Sequence, residues 1–239
     1  MTRRLKRQND ELRKVEIIPG FQLYPAGSVL ISFGRTRVIC SATIEEKVPP
    51  FLKEQGLGWV TAEYAMLPAA TGNRNTRESV KGKQQGRSVE IQRLIGRSLR
   101  AVVDRQILGE RSILIDCDVI QADGGTRTAS ITGAFVALSL AVEQLLRERA
   151  IQQTPILSQA AAISVGIVNG DILLDLDYGE DSNAGVDMNI VATSEGTLIE
   201  IQSTAEGAPF SRKEMDEMLN VGLSGIDKLM SFQRQALNQ

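Results

Sequence analysis

The sequence predicts an α+β fold in which a β-rich unit ending in a long helix occurs twice. Three observations carry that expectation. Short runs alternating apolar and polar residues, joined by two-residue turns, mark hairpins in both halves. Each half closes on a stretch of helical periodicity, over about 128–149 and 211–236. Ala122-Asp123-Gly124-Gly125, between a strand and a helix, lines up with Ala205-Glu206-Gly207-Ala208 in the equivalent place. Residues 1–239 are therefore expected to form a single domain, with pseudo-repeats over about 15–150 and 160–236.

The elements follow in order. Residues 29–33 and 37–43 alternate around Gly34-Arg35 and read as a hairpin. Residues 57–67 form another extended run. Residues 70–85 have no apolar periodicity and read as a long polar loop, a kind that is usually functional or disordered. Ile91, Leu94, Ile95, Leu99, Val102, Val103 and Ile107 then fall on one helical face, with Arg93, Arg97 and Arg100 mostly off it. A strand over 113–120 leads through Asp123-Gly124-Gly125 into the next helix. In the second half, 161–168 and 171–177 flank Asn169-Gly170, the strongest short hairpin signal in the chain. Strands over 186–193 and 197–203 and the final helix complete the unit.

Composition narrows the chemistry. There is no histidine, so Ser-His-Asp triads, Cys-His pairs and histidine acid–base catalysis are excluded. Cys40 and Cys117 sit in apolar runs and read as buried thiols. The amino end has no signal-like apolar core, and the most apolar stretch, 131–146, reads as too short for a bilayer. A cytoplasmic protein with no membrane span is expected. Net charge is −2, but basic residues dominate 74–111 and acidic ones 112–210. Such a division suits a polyanion on one side and a divalent cation on the other; two solvated, mutually compensating faces would look the same.

Four segments could carry chemistry. Gly124-Gly125-Thr126-Arg127 offers backbone N–H groups, a hydroxyl and a planar cation at a helix start, the ingredients of a phosphate site. A tight strand-to-helix turn with a surface arginine is the plainer reading. Gly86-Arg87-Ser88 repeats this logic at the start of the basic helix, where Ser88 is either a cap or a donor. Asp175, Asp177, Glu180, Asp181 and Asp187 supply hard oxygen ligands for Mg²⁺ or Mn²⁺. Asp175 and Asp177 alternate with leucines and are expected to point away from the core. Arg74 and Arg77 in the polar loop could grip an RNA backbone.

At these segments the chain resembles the ribonuclease PH family of phosphorolytic exoribonucleases. The resemblance runs over nearly the whole chain. It is most specific at Lys81-Gly82-Lys83 through Gly86-Arg87, over 90–97, over 116–128, and at Val186-Asp187-Met188-Asn189. It implies that fold, a phosphorolytic nucleotidyltransferase trimming tRNA precursor 3′ ends, inorganic phosphate as co-substrate and Mg²⁺ or Mn²⁺ as metal. It implies that Arg87, Gly125, Thr126 and Arg127 bind phosphate, and that Asp181 and Asp187 hold the metal or assist proton transfer. RNA contacts are assigned to Arg74, Arg77, Arg93 and Arg97, and a homo-hexamer built as a trimer of dimers is implied. The alternative is a catalytically weak or inactive RNA-binding ring subunit of the same fold. Two departures bear on RNA affinity. Ala69 stands where the family usually has an arginine, and 6–13 lacks the Asp-Gly that usually precedes the matching arginine.

Overall fold

The computed structural model describes Arg3 and residues 6–238. Its first sheet comprises β1 (Val15–Pro19), β2 (Gly27–Phe33), β3 (Thr36–Glu45), β4 (Trp59–Met66) and β5 (Ser112–Gln121), in spatial order β1-β2-β3-β5-β4. The alternating pattern around Gly34-Arg35 forms the β2–β3 hairpin, with Phe33 opposite Thr36. β4 runs parallel to β5. A parallel pair needs a crossover, and this one contains α1 (Glu78–Lys81), α2 (Gly86–Arg100) and α3 (Arg105–Leu108). The polar stretch 70–85 thus holds one helical turn, α1, which has no buried residues and so gave no periodic signal.

α4 (Thr126–Arg147) follows β5. The second sheet has β6 (Ala160–Val168), β7 (Asp171–Leu174), β8 (Val186–Thr193) and β9 (Leu198–Ala205), in order β7-β6-β8-β9. Asn169 and Gly170 both take positive φ, 53° and 84°, at the β6–β7 turn. α5 (Tyr178–Asp181) lies between β7 and β8, and α6 (Arg212–Leu237) closes the chain. Ser211 and Glu214 form the capping box that their spacing suggests.

α4 packs on β2, β3 and β5 of one sheet and on β6 of the other; α6 packs on β6, β8 and β1. The helices are thus the filling between two sheets. This corrects one sequence expectation: α4 is long and apolar enough to cross a bilayer, yet most of it is buried within the protein. Val136, Ala137, Leu138 and Ala141 are fully buried. Cys40 and Cys117, paired across β3 and β5, are buried and free, with Sγ atoms 3.8 Å apart.

Candidate active site

The chain leaves β5 through Gly124 and Gly125, both at positive φ (78° and 66°), and turns directly into α4. No side chain caps that helix start. The dipole and the first N–H groups of α4 therefore face the adjacent cavity of about 510 Å³. The cavity brings together Arg87, from the start of α2, with Gly125, Thr126 and Arg127. Asp181, at the end of α5, and Asp187, on β8, lie in the same wall. Two helix starts and the second sheet thus converge on one small space.

Several residues invisible as a motif complete it. Tyr64, buried on β4, donates a hydrogen bond of 2.9 Å to Thr126 Oγ1 and fixes that hydroxyl. Arg127 Nη1 donates to Gln202 Oε1 and, at 3.3 Å, to Glu90 Oε1. Gln202 Nε2 also donates to Glu90, at 2.9 Å. The arginine is therefore held between α2 and β9. A glutamine on one strand and a glutamate on a distant helix carry no local spacing that could have announced this.

Asp181 is exposed as a residue, but the protein mass around its carboxyl strips it of part of its solvent and holds it above its ordinary pKa; Arg87 and Arg127 pull it back. Asp187 is raised by burial first, and then by the Asp181 charge. With Glu90 and Glu206 the cavity lining sets four carboxylates against two arginines and is net negative.

The other acidic candidates have different work, which corrects the alternation argument. β7 stops at Leu174, and Asp175 turns inward at φ 56°, fully buried against Arg13. Asp177 is buried as the N-cap of α5, in a capping box with Glu180. Glu180 pairs with Arg3 at 2.7 Å and Arg7 at 3.0 Å. Burial opposes its charge, but the hydrogen bonds from Arg3 and the Asp177 N–H, with the charges of Arg3 and Arg7, outweigh burial and hold its carboxyl below the ordinary range. Arg3, Arg7 and Arg13 are thus tied inside the fold, so the segment 6–13 makes scaffold contacts; residues 4 and 5 lie outside the described ones. Ser88 caps nothing: Gln85 is the N-cap of α2, and Ser88 donates to Glu78 at 2.5 Å.

A second cavity, about 820 Å³, shares Arg87 and opens between 75–92 and the outer face of β4 and β5. Arg77 and Lys83 line it, but so do Glu63, Asp116 and Asp118. Burial raises the carboxyls of Asp116 and Asp118, and Arg77 lowers that of Asp118. Arg74, Arg93 and Arg97 line neither cavity; Arg97 is paired with Glu200.

Fold and cavity together describe an α+β protein with an anion-suited site of arginines, an uncapped helix start and carboxylates, built without histidine. Residues 11–142 match the 3′ exoribonuclease family, domain 1, and residues 158–225 match domain 2 of that family. The chain is 59% identical over 237 residues to a ribonuclease PH of Syntrophomonas wolfei subsp. wolfei, covering 99% of each chain. It is 59% identical over 230 residues to that of Bacillus pumilus, covering 96% of this chain and 95% of that one. Among solved structures, rice (Oryza sativa) Rrp46 superposes with a TM-score of 0.78 at 16% identity, covering 97% of this chain and 98% of that one. An Archaeoglobus fulgidus exosome with RNA bound to the active site gives 0.78 at 22% identity, covering 95% and 91%. The chain belongs to the 3′ exoribonuclease family.

Proposed function

We propose that the 510 Å³ cavity holds inorganic phosphate against the last phosphodiester of an RNA, with Arg87, Arg127 and the Gly125–Thr126 turn gripping the phosphate. The enzyme is a phosphorolytic 3′-to-5′ exoribonuclease, a nucleotidyltransferase that processes tRNA precursors. RNA of n residues plus phosphate gives RNA of n−1 residues plus a nucleoside diphosphate. A phosphate oxygen bonds to the terminal phosphorus, and the bond to the preceding 3′ oxygen breaks. Bonds of similar kind are exchanged, so the reaction also runs backwards. The convergence of both helix starts on one cavity is the observation that carries this reading. It also weighs against an inactive ring subunit, which has no use for an intact pocket.

Catalysis here is orientation plus charge neutralisation. Tyr64 aims the Thr126 hydroxyl, while Glu90 and Gln202 hold Arg127 in the wall. The charge balance supports a divalent metal. Two arginines share the cavity with four carboxylates, those of Glu90, Asp181, Asp187 and Glu206, before any anion enters. Among the described residues no group of three or more His, Cys, Asp or Glu side chains is arranged to hold a metal. A pair of carboxylates completed by water and substrate phosphates suits Mg²⁺, and Mn²⁺ similarly. Asp181 and Asp187 are the residues that would hold it; once bound, it would neutralise charge on the transferred phosphoryl group. Either carboxyl could instead hand a proton to the departing 3′ oxygen.

Short RNA incubated with phosphate is expected to release nucleoside diphosphates, and EDTA is expected to stop release until Mg²⁺ is restored. Nucleoside monophosphates released without phosphate would sink the reading.

The RNA path reads as running past Arg74 and Arg77, both exposed, with Arg93 and Arg97 as outer contacts. Substituting Ala for both Arg74 and Arg77 should weaken RNA binding and flatten the slope of log K against log salt by about two. An unchanged slope removes that segment from the path. A homo-hexamer built as a trimer of dimers fits the exposed apolar side chains Phe21, Leu23 and Tyr24, which a neighbouring subunit could cover. The reading places the enzyme in the cytoplasm.

A further inference from the structure

We infer that the buried Arg13–Asp175 pair is a positioning element of the active site, fixing the phosphate-binding turn of the first half against the acidic segment of the second. The inference rests on the phosphate-site reading above. Neither residue lines the cavity. Their effect must pass through the backbone that they hold.

One guanidinium reaches both halves. Arg13 Nη2 meets Asp175 Oδ1 at 2.6 Å, and Arg13 Nε and its backbone N–H both donate to Oδ2, at 3.1 and 2.8 Å. The remaining nitrogen, Nη1, donates to the carbonyls of Asp123 at 2.6 Å and Gly124 at 3.4 Å. Those carbonyls belong to the turn whose next residues, Gly125 and Thr126, face the cavity. From the other side, the Thr36 hydroxyl accepts from Asp123 N–H at 2.9 Å and donates to Gly124 O at 2.6 Å. With its carbonyls held from behind, the turn keeps its amides on the cavity side.

The glycines show how closely the parts fit. A Cβ on Gly125 would lie 2.9 Å from Arg13 Nη2. A Cβ on Gly124 would lie 2.6 Å from the carbonyl oxygen of Leu176. The turn therefore rests directly on the backbone that leads into α5 and Asp181. Asp175 anchors that backbone in turn. Its N–H donates to Ser164 O at 2.7 Å, and Leu176 N–H donates to Ser164 Oγ at 3.1 Å. Asp175 holds φ 56°, a left-handed conformation uncommon for a non-glycine residue, and does so with no solvent exposure. Arg7 Nη1 adds a bond to the Asp175 carbonyl at 3.1 Å.

A buried ion pair serving stability alone can often be replaced by apolar side chains of similar volume. Apolar side chains cannot donate to the Asp123 and Gly124 carbonyls. The double variant Arg13→Met/Asp175→Leu separates the two roles. Its melting temperature is expected to fall, because Leu at φ 56° is strained and the buried Arg13 N–H loses its acceptor. In the folded protein its phosphate KM is expected to rise roughly ten- to a hundredfold with RNA affinity unchanged, a split that a merely stabilising pair would not produce. Arg13→Lys, which keeps a charge but cannot reach both Asp175 and the turn carbonyls, should raise phosphate KM in the same direction. It carries the test alone if the double variant does not fold. Unchanged phosphate KM in the folded double variant, or in Arg13→Lys where the double variant fails, overturns the inference. Arg127→Ala is measured alongside. If it raises phosphate KM while the pair variants do not, only the inference falls. If it leaves phosphate KM unchanged, the phosphate-site reading falls and takes the inference with it.

Discussion

Arg127→Ala should raise the phosphate KM by roughly 10- to 100-fold and leave RNA affinity nearly untouched. Losing charge-assisted hydrogen bonds to an anion costs about 1.5–3 kcal/mol, which sets that range. The upper end is favoured by what remains behind. Glu90, which accepts from Arg127 at 3.3 Å, would face the incoming phosphate without its guanidinium neighbour. Arg127→Lys should fall between, because a point charge cannot serve Gln202 and phosphate with one planar fork. Steady-state phosphorolysis with phosphate varied at saturating RNA reads the effect. A wild-type phosphate KM in Arg127→Ala would remove this arginine from the phosphate site.

Asp187→Asn should cut kcat by about two to three orders of magnitude, as losing a preorganised electrostatic partner does elsewhere. It should also demand more Mg²⁺ for half-maximal rate. The same variant should melt at a higher temperature. Asp187 has its folded-state pKa raised by burial and by Asp181, so the fold disfavours its charged form. That penalty is present at pH above the folded pKa and disappears as pH falls below the unfolded value. At neutral pH, removing the charge therefore relieves the fold while it harms turnover. Calorimetry at pH 7 and at low pH checks the sign: the gain should shrink on acidification. A variant that loses both activity and stability at neutral pH would mark Asp187 as a structural residue.

The parts of this molecule that local pattern controls were legible in the chain. The hairpins declared themselves through Gly34-Arg35 and Asn169-Gly170, and α2 through its apolar stripe. The uncapped strand-to-helix turn was legible because Gly124-Gly125 directly before a helix has a local conformational meaning. Contacts made across long sequence distances were not. Tyr64 lies 62 residues from Thr126, and Gln202 lies 75 from Arg127; nothing near either shows where its polar atom ends up. Asp175 misled because alternation holds only while the strand lasts. A hint was present: Leu173 and Leu174 are adjacent and both buried, which a surface strand with strict alternation would not show.

The cavity draws Arg87 and Arg127 from the earlier half of the chain and Asp181 and Asp187 from the later half. A chain ending before Asp175 has both arginines but neither cavity aspartate, and lacks the carboxylate that Arg13 grips behind the Gly124-Gly125 turn. On the proposed reading, turnover requires the later half to have folded onto the earlier one, so a truncated chain lacking β8 should be inert even with both arginines present.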